Sequence, residues 1–165
     1  MASDPCPICA LADHPDETVV FLNEDVMIVT PDPALAFGHV QVFPRRHAAI
    51  FEHMSSQDVG TLFATANTLS SVLFDLLRAQ GTNIIMQNGV SAGQSVAHVS
   101  LHILPRREND GLDFQWELAP ANQQELQQSA AQLKDAFIPM NIPLMGAEKK
   151  PVVLERSVEK IGATS

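Results

Sequence analysis

One stretch of the chain, residues 93–106, constrains the fold more than any other, because it combines a strand pattern with a line of polar side chains. Aliphatic and polar residues alternate through its centre: Val99, Leu101 and Ile103 against His98, Ser100 and His102. A β-strand repeats every two residues, so the two sets fall on opposite faces. The pattern predicts a strand over Val96–Leu104, which Pro105 stops, with one buried face and one row of reactive groups.

The residues just before this strand favour an anion site. They are small, polar and glycine-bearing: Gly89, Gly93, Gln94 and Ser95. A loop of this kind exposes backbone N–H groups, which suits an anion such as phosphate. A lone histidine on a half-buried strand often just faces solvent. Two histidines that flank a serine in register, after a Gly-Gln-Ser loop, indicate a functional site instead.

This run resembles the signature of the histidine triad (HIT) family of nucleotide hydrolases and transferases. The family pattern is His-x-His-x-His followed by two apolar residues, usually after Gly-Gln-Ser/Thr-Val and often before Pro-Arg. The chain matches it from His98 through Arg106 except at Ser100, which takes the place of the family's nucleophilic histidine. The resemblance extends over roughly residues 5–137, and the N-terminal Cys-x-x-Cys is that of bacterial and archaeal-type members.

The resemblance and the pattern together predict an α+β fold, with a five-stranded antiparallel sheet, one long helix and a C-terminal helix. The strands are expected at Thr18–Leu22, Val26–Thr30, Gly38–Phe43, Thr82–Gln87 and Val96–Leu104. Helical spacing predicts a long helix from Ser55 or Ser56 that Gly81 stops, and a second helix from Asn122 to about Phe137. Residues 1–17 are predicted to be loop.

The domain boundaries follow from composition. The chain has 165 residues, about one domain's worth. A HIT-like domain is expected over residues 1–137, and residues 138–165 change to an extended tail in which Val152–Glu155 is a candidate added strand. Two interpretations of this tail stay open: a frayed end, or an arm that crosses to a partner subunit.

Charge and hydropathy narrow the function classes. The net charge of −9 argues against a nucleic-acid backbone as the main partner. No run approaches a membrane span and the N-terminus lacks a signal-peptide order, so a cytoplasmic protein without a membrane partner is expected. Two basic pairs, Arg45-Arg46 and Arg106-Arg107, lie near histidines of interest and are candidates to offset phosphate charge locally.

Both cysteines fall in a single Cys6-x-x-Cys9 pair, which in a reducing compartment indicates a metal site or a redox pair. Metal is favoured, because a redox motif normally opens a helix after a strand. The resemblance implies that zinc, as a structural ion, is held by Cys6, Cys9, His47 of Pro-Arg-Arg-His and His98. A pair of reduced, idle cysteines is the alternative.

The resemblance also implies roles for the remaining site residues. The ligand would be a purine nucleotide or a nucleotide conjugate, bound in a homodimer, with His102 on the phosphate or the leaving group and His39 behind it. Contacts to the nucleotide are expected from Gln87, Asn88, Gly93, Gln94 and Ser95. The family's ribose-binding aspartate lies eight residues before His39, where this chain has Pro31, so Asp32 beside it is the candidate.

Ser100 decides what can be expected of activity, because a serine hydroxyl is a poor nucleophile unless a base takes its proton. Three explanations stay open: a HIT enzyme that lacks its nucleophile and has lost or altered turnover, a non-catalytic nucleotide or phosphate-ester sensor, and an enzyme with different chemistry. A fourth interpretation, of another class, is a zinc-stabilised dimeric interaction module with a vestigial pocket.

Overall fold

A computed structural model describes residues 6–114, 120 and 122–137. Five strands form one antiparallel sheet in the order β1-β2-β3-β5-β4. The strands are β1 Val19–Leu22, β2 Val26–Val29, β3 Val40–Pro44, β4 Gly81–Ile85 and β5 Leu101–Arg106. The helices are α1 Pro7–Asp13, α2 Ser56–Leu77 and α3 Gln123–Phe137. The predicted α+β class and the five-stranded antiparallel sheet are confirmed.

The long helix α2 covers one face of the sheet. Ser55 caps it, since its hydroxyl accepts the Asp58 N–H at 3.1 Å. Leu62, Ala66 and Leu73 are buried against the sheet at helical spacing. By length and composition α2 could cross a bilayer, so the expectation that no run approaches a membrane span is wrong. In this fold its residues Leu62, Ala66 and Leu73 pack into the core.

The sheet has a different cluster on each face. Under α2 the core includes Val42, Val99, Leu101 and Ile103. On the opposite face a smaller cluster of Ala12, Met27, Val29 and Phe43 packs with α1. The predicted division of the 98–103 stretch into an aliphatic and a polar face is therefore correct.

Several predicted boundaries are wrong, each for a local reason. Pro105 does not stop β5, which runs on to Arg106, because Pro105 and Arg106 continue the pairing with Thr82 and Gly81 of β4. Residues 1–17 are not all loop, because Pro7 at the first helical position starts α1. The helix α2 ends before Gly81, since Arg78 already adopts the left-handed conformation with φ 54°. Strand β5 begins at Leu101 rather than Val96, because the Val99 N–H turns to Ala48 O (2.8 Å) and Pro44 has no N–H for a further ladder bond.

The chain divides into two units, residues 1–114 and 115–165. The described part of the second unit contains α3, which Asn122 caps by accepting the Gln124 N–H at 2.9 Å. The predicted tail, residues 138–165, and its candidate strand Val152–Glu155 lie outside the described residues. The domain boundary at residue 137 stays a prediction.

Candidate functional site

An open cleft lies on the sheet face opposite α2. Its lining residues come from α1, β3, β5 and the loop before β5: Ile8, Gln41, Phe43, Gln87, Gln94, Ser95, Val96, His98, Ser100 and His102. The cleft thus brings together several of the residues that the sequence predicts, and His39 lies just behind it against His102.

Hydrogen bonds fix the protonation of His39 and His102. The Leu35 backbone N–H donates to His39 Nδ1 at 3.2 Å, and a backbone N–H can only donate. His39 Nδ1 is therefore the acceptor, and in the neutral ring the proton sits on Nε2, which lies 3.1 Å from His102 Nδ1. His102 accepts at Nδ1 in turn, so its own proton sits on Nε2.

Burial keeps both rings neutral near neutral pH. Burial, and secondarily the positive charge of His102, lowers the pKa of His39 to about 4. Burial alone lowers the pKa of His102 below its ordinary value. The pair therefore acts as a hydrogen-bond relay that ends in an N–H donor on His102.

Both ring nitrogens of the neighbouring His98 already have partners. Its Nε2–H donates to Pro44 O at 2.9 Å, so Nδ1 is the unprotonated nitrogen. That Nδ1 lies 3.4 Å from Cys6 Sγ and 3.7 Å from Cys9 Sγ. His98 consequently has no lone pair left for Ser100, although both residues line the cleft.

The predicted metal ligands Cys6, Cys9, His47 and His98 come together, with their ligand atoms all within 4.8 Å of one another. Cys9 Sγ lies 3.4 Å from His47 Nδ1. Tetrahedral zinc bonds of about 2.0–2.3 Å separate neighbouring ligand atoms by about 3.3–3.8 Å. The four residues therefore fit a Cys₂His₂ metal site, and the Pro44 carbonyl orients His98 from behind as outer partners of metal-binding imidazoles do.

Two residues predicted to contact the ligand also brace the loop in this structure. The first is Gln94, which donates to Ala49 O at 2.7 Å and to Val96 O at 2.8 Å, while its oxygen accepts the Gly89 N–H at 2.7 Å. These bonds occupy both amide hydrogens of Gln94.

Asn88 is occupied in the same way. Its oxygen accepts the Phe51 N–H at 2.8 Å, and its amide nitrogen donates to the Glu52 carboxylate at 2.9 and 3.0 Å. Both braces link the loop to residues near 50, which the sequence alone does not place beside it.

Gln87 and Gly93 lie together at the loop. Gly93 has φ +89°, and a Cβ there would come 2.5 Å from Gln87 Nε2. A side chain at position 93 would therefore meet both backbone strain and the Gln87 amide. Gln87 and Ser95, which are predicted to contact the nucleotide, both line the cleft, and both residues are exposed.

Asp32 and the basic pairs lie apart from the cleft lining. Asp32 is exposed and is not among the lining residues. Three of the four arginines of these pairs bind carboxylates, Arg45 with Asp13 at 3.9 Å, Arg46 with Asp58 at 3.4 Å and Arg106 with Asp110 at 2.6 Å, while Arg107 donates to the Leu77 carbonyl. The donors that face an anion in the cleft are therefore neutral, and the His102 N–H is foremost among them.

Four lining residues are not predicted as site residues: Ile8, Gln41, Phe43 and Val96. A signal for two of them exists. Gln41 and Phe43 follow His39 at two-residue spacing in strand β3, which places them on the face of His39. Ile8 can be placed only with the fold in hand, because the seven residues of α1 are too few to show from sequence which face of the helix meets the sheet.

Comparison with known proteins agrees with this arrangement. The chain is similar to a bis(5'-nucleosyl)-tetraphosphatase (asymmetrical) of Schizosaccharomyces pombe, with 28% identity over 123 residues, which are 74% of this chain and 65% of that protein. It is 29% identical to a bis(5'-adenosyl)-triphosphatase of Dictyostelium discoideum over 61% of this chain and 72% of the other. Alignment with the first of these relatives thus leaves about a third of its length unmatched.

A solved structure is similar as well. The zinc-bound histidine triad family protein of Mycobacterium smegmatis superposes with a TM-score of 0.62 and 26% identity, over 79% of this chain and 96% of that one. The family model described as the HIT domain matches residues 13–109, more than half of the chain. With the fold, the cleft and these likenesses in agreement, the chain belongs to the HIT domain family.

Proposed function

We propose that this protein binds a purine nucleoside monophosphate, or a conjugate of one, in the cleft and that Ser100 does not carry the family's covalent step. In that step the nucleophile bonds to the α-phosphorus while the leaving group departs with the bonding electron pair, and water later releases the nucleotide. The names of the relatives, a tetraphosphatase and a triphosphatase of dinucleosides, support the ligand class.

The observation that carries this proposal is that neither neighbouring imidazole offers Ser100 a base. His98 donates through Nε2 and turns Nδ1 to the thiols, while His102 accepts through Nδ1 and presents N–H to the cleft. Within the described part of the chain, the lining also contains no carboxylate. A hydroxyl without a base is a weak nucleophile, so phosphate binding is supported and attack on phosphorus is not.

The His102 N–H, the Ser95 backbone N–H and the Gln87 amide would hold the phosphate. These donors suit a phosphate oxygen whether or not a bond to phosphorus is made. We call this a trapped site: it binds the phosphate but lacks a nucleophile, so it keeps nucleotide affinity and loses turnover.

The test compares the native chain with Ser100→His for release of nucleoside monophosphate from an adenosine phosphoramidate, ADP and a dinucleoside tetraphosphate. We expect the native chain to bind AMP saturably without turnover, and the histidine variant to turn over at least one of the three. Rapid turnover by the native chain would refute the assignment of Ser100.

We also propose that the ion at Cys6, Cys9, His47 and His98 is zinc in a structural role. Four sulfur and nitrogen ligands at tetrahedral separations support it, and zinc prefers such closed sites. The thiolates require a reducing compartment, in keeping with a cytoplasmic location. Metal analysis of protein purified without chelator should give about one zinc per chain; less than about half an equivalent with intact thiols would contradict the proposal.

We further propose that the protein forms a homodimer. Apolar side chains are exposed on α2 and on the edge strand β4: Phe63, Val72, Phe74, Leu76 and Ile84. A second copy that joins at this edge would pair the open strand and cover these side chains. Sedimentation equilibrium should give a dimer, and Ile84→Lys should shift it toward monomer; a monomeric native chain would rule the dimer out.

The same exposed surface favours a second candidate, a dimeric interaction module with a vestigial pocket. Titration with AMP or GMP separates the two. A vestigial pocket gives no saturable binding, whereas the trapped site gives a dissociation constant between the micromolar and low millimolar ranges.

A further inference from the structure

One row of residues runs across the sheet beneath the cleft. Val29 of β2 pairs with Gln41 of β3, and Gln41 pairs with His102 of β5. Directly paired residues carry their side chains on the same face, and neighbouring strands lie about 4.8 Å apart. Across about 10 Å, two such spacings, the face therefore changes from an aliphatic group through an amide to an imidazole.

The two ends of this row differ in chemistry. Val29 belongs to the apolar cluster with Phe43, against which Ile8 packs, and Ile8 and Phe43 both line the cleft. The other end holds Ser100 and the N–H of His102. Gln41 therefore lies between the aliphatic Val29 and the His102 imidazole, with the apolar Phe43 two residues further along its own strand.

The Gln41 amide has hydrogen-bonding groups that no other residue in the described part of the chain uses. Its Nε2 lies 3.2 Å from His102 Nδ1, but that nitrogen has one lone pair, which already receives the His39 N–H. Among the described residues, the Gln41 amide has no hydrogen-bond partner other than His102. Its oxygen and at least one N–H are consequently available, in contrast to the amide of Gln94.

We infer that Gln41 is a specificity-determining residue that hydrogen-bonds the sugar hydroxyls of a bound ribonucleotide. The inference rests on the proposed function, since a nucleotide presents base, sugar and phosphate in the order in which the row presents apolar, amide and imidazole groups. A carboxamide both donates and accepts, which matches a hydroxyl. Asp32 is exposed and outside the lining, so Gln41 is the amide or acid placed between the two ends.

The test measures dissociation constants of AMP, 2′-deoxyAMP and 3′-deoxyAMP by calorimetry for the native chain, Gln41→Met and Gln41→Leu. Methionine keeps the length of the side chain and removes its polar atoms. Gln57→Leu, in the exposed first turn of α2, is the matched control. Circular dichroism and zinc content show whether each variant is folded.

We expect the native chain and Gln57→Leu to bind AMP about three- to tenfold more tightly than at least one deoxynucleotide, the range that one hydrogen bond supplies. In Gln41→Met or Gln41→Leu the ratio should fall to within about twofold, mostly through weaker AMP binding. Such a loss of discrimination with retained deoxynucleotide affinity supports the assignment.

Other outcomes overturn it in distinguishable ways. If the native chain binds all three nucleotides equally, or if the Gln41 variants weaken them all by one factor, Gln41 does not read the sugar and acts at most on His102. If the native chain does not bind AMP at all, the proposed function itself fails and the sugar assignment falls with it.

Discussion

At the scale of single residues, the direction of one backbone hydrogen bond governs the chemistry of the cleft. The Leu35 N–H sets the tautomer of His39, which sets that of His102 and leaves a donor facing the ligand. Similarly, the Pro44 carbonyl turns the free nitrogen of His98 toward the thiols. A serine between these two histidines, at position 100, therefore has anion donors but no base nearby.

The pKa of His39 makes stability depend on pH. An imidazole titrates near 6.5 in an unfolded chain, whereas the pKa of His39 is about 4 in the folded protein. Between these values the unfolded chain binds more protons, so stability falls as pH is lowered through this window. From about pH 7 to pH 5 this single group should cost about 2 kcal/mol of unfolding free energy.

The variant His39→Gln tests this effect, because its amide donates to His102 without titrating. Urea unfolding at about pH 7 and pH 5, with both proteins zinc-loaded, should show a smaller loss for the variant by about 2 kcal/mol. Equal losses in the two proteins would show that His39 is not held neutral by the fold.

At the scale of elements, the packing of α2 on the sheet depends on a residue that has no side chain. Gly38 precedes β3 with φ +83°, and a Cβ there would come 2.2 Å from Leu77 Cδ1 and 3.2 Å from Pro105 Cγ. At Gly60, within α2, no neighbouring atom of the described residues lies within 4 Å of the place that a Cβ would take. A side chain therefore has no room at Gly38 but has open space at Gly60.

We expect Gly38→Ala to destabilise the fold by about 1–3 kcal/mol, through the strained conformation and the displacement of Leu77. Gly60→Ala should stabilise it by about 0.5–1 kcal/mol, because alanine loses less backbone entropy in a helix. Urea unfolding of both variants checks the pair. A neutral Gly38→Ala would mean that the end of α2 shifts freely.

Periodicity is sufficient to predict the elements that carry long patterns. The alternation from Val99 to Ile103 and the helical spacing of α2 depend only on neighbours in sequence, and both are predictable from it. The helix α1 is not, because seven residues carry little periodic signal and the cysteines suggest a loop. The bracing roles of Gln94 and Asn88 escape prediction because their partners lie 36 to 45 residues away.

At the scale of the whole molecule, the Cys₂His₂ cluster joins the N-terminal helix to the sheet. Its ligands come from the start of α1, the residues after β3 and the residues before β5. Anything that binds these residues only in the folded state adds to its stability. A bound metal would therefore fasten three distant parts of the chain at one point.

Removing metal should lower the melting temperature by about 5–10 °C, the size expected for the loss of a few kcal/mol in a domain of this length. Differential scanning calorimetry before and after EDTA treatment measures the shift. The double variant Cys6→Ser/Cys9→Ser is the control and should not respond to EDTA. A melting temperature that EDTA leaves unchanged in the native protein would argue against a structural ion.

The separation of Cys6 and His98 by 92 residues also bears on folding kinetics. The cluster can form only after distant segments have met, and closing so long a loop is entropically unfavourable early in folding. Contacts that are absent from the transition state change the unfolding rate more than the folding rate. The ion would therefore slow unfolding more than it speeds folding. Metal should lengthen the survival of the protein under protease by a much larger factor than it raises the refolding rate.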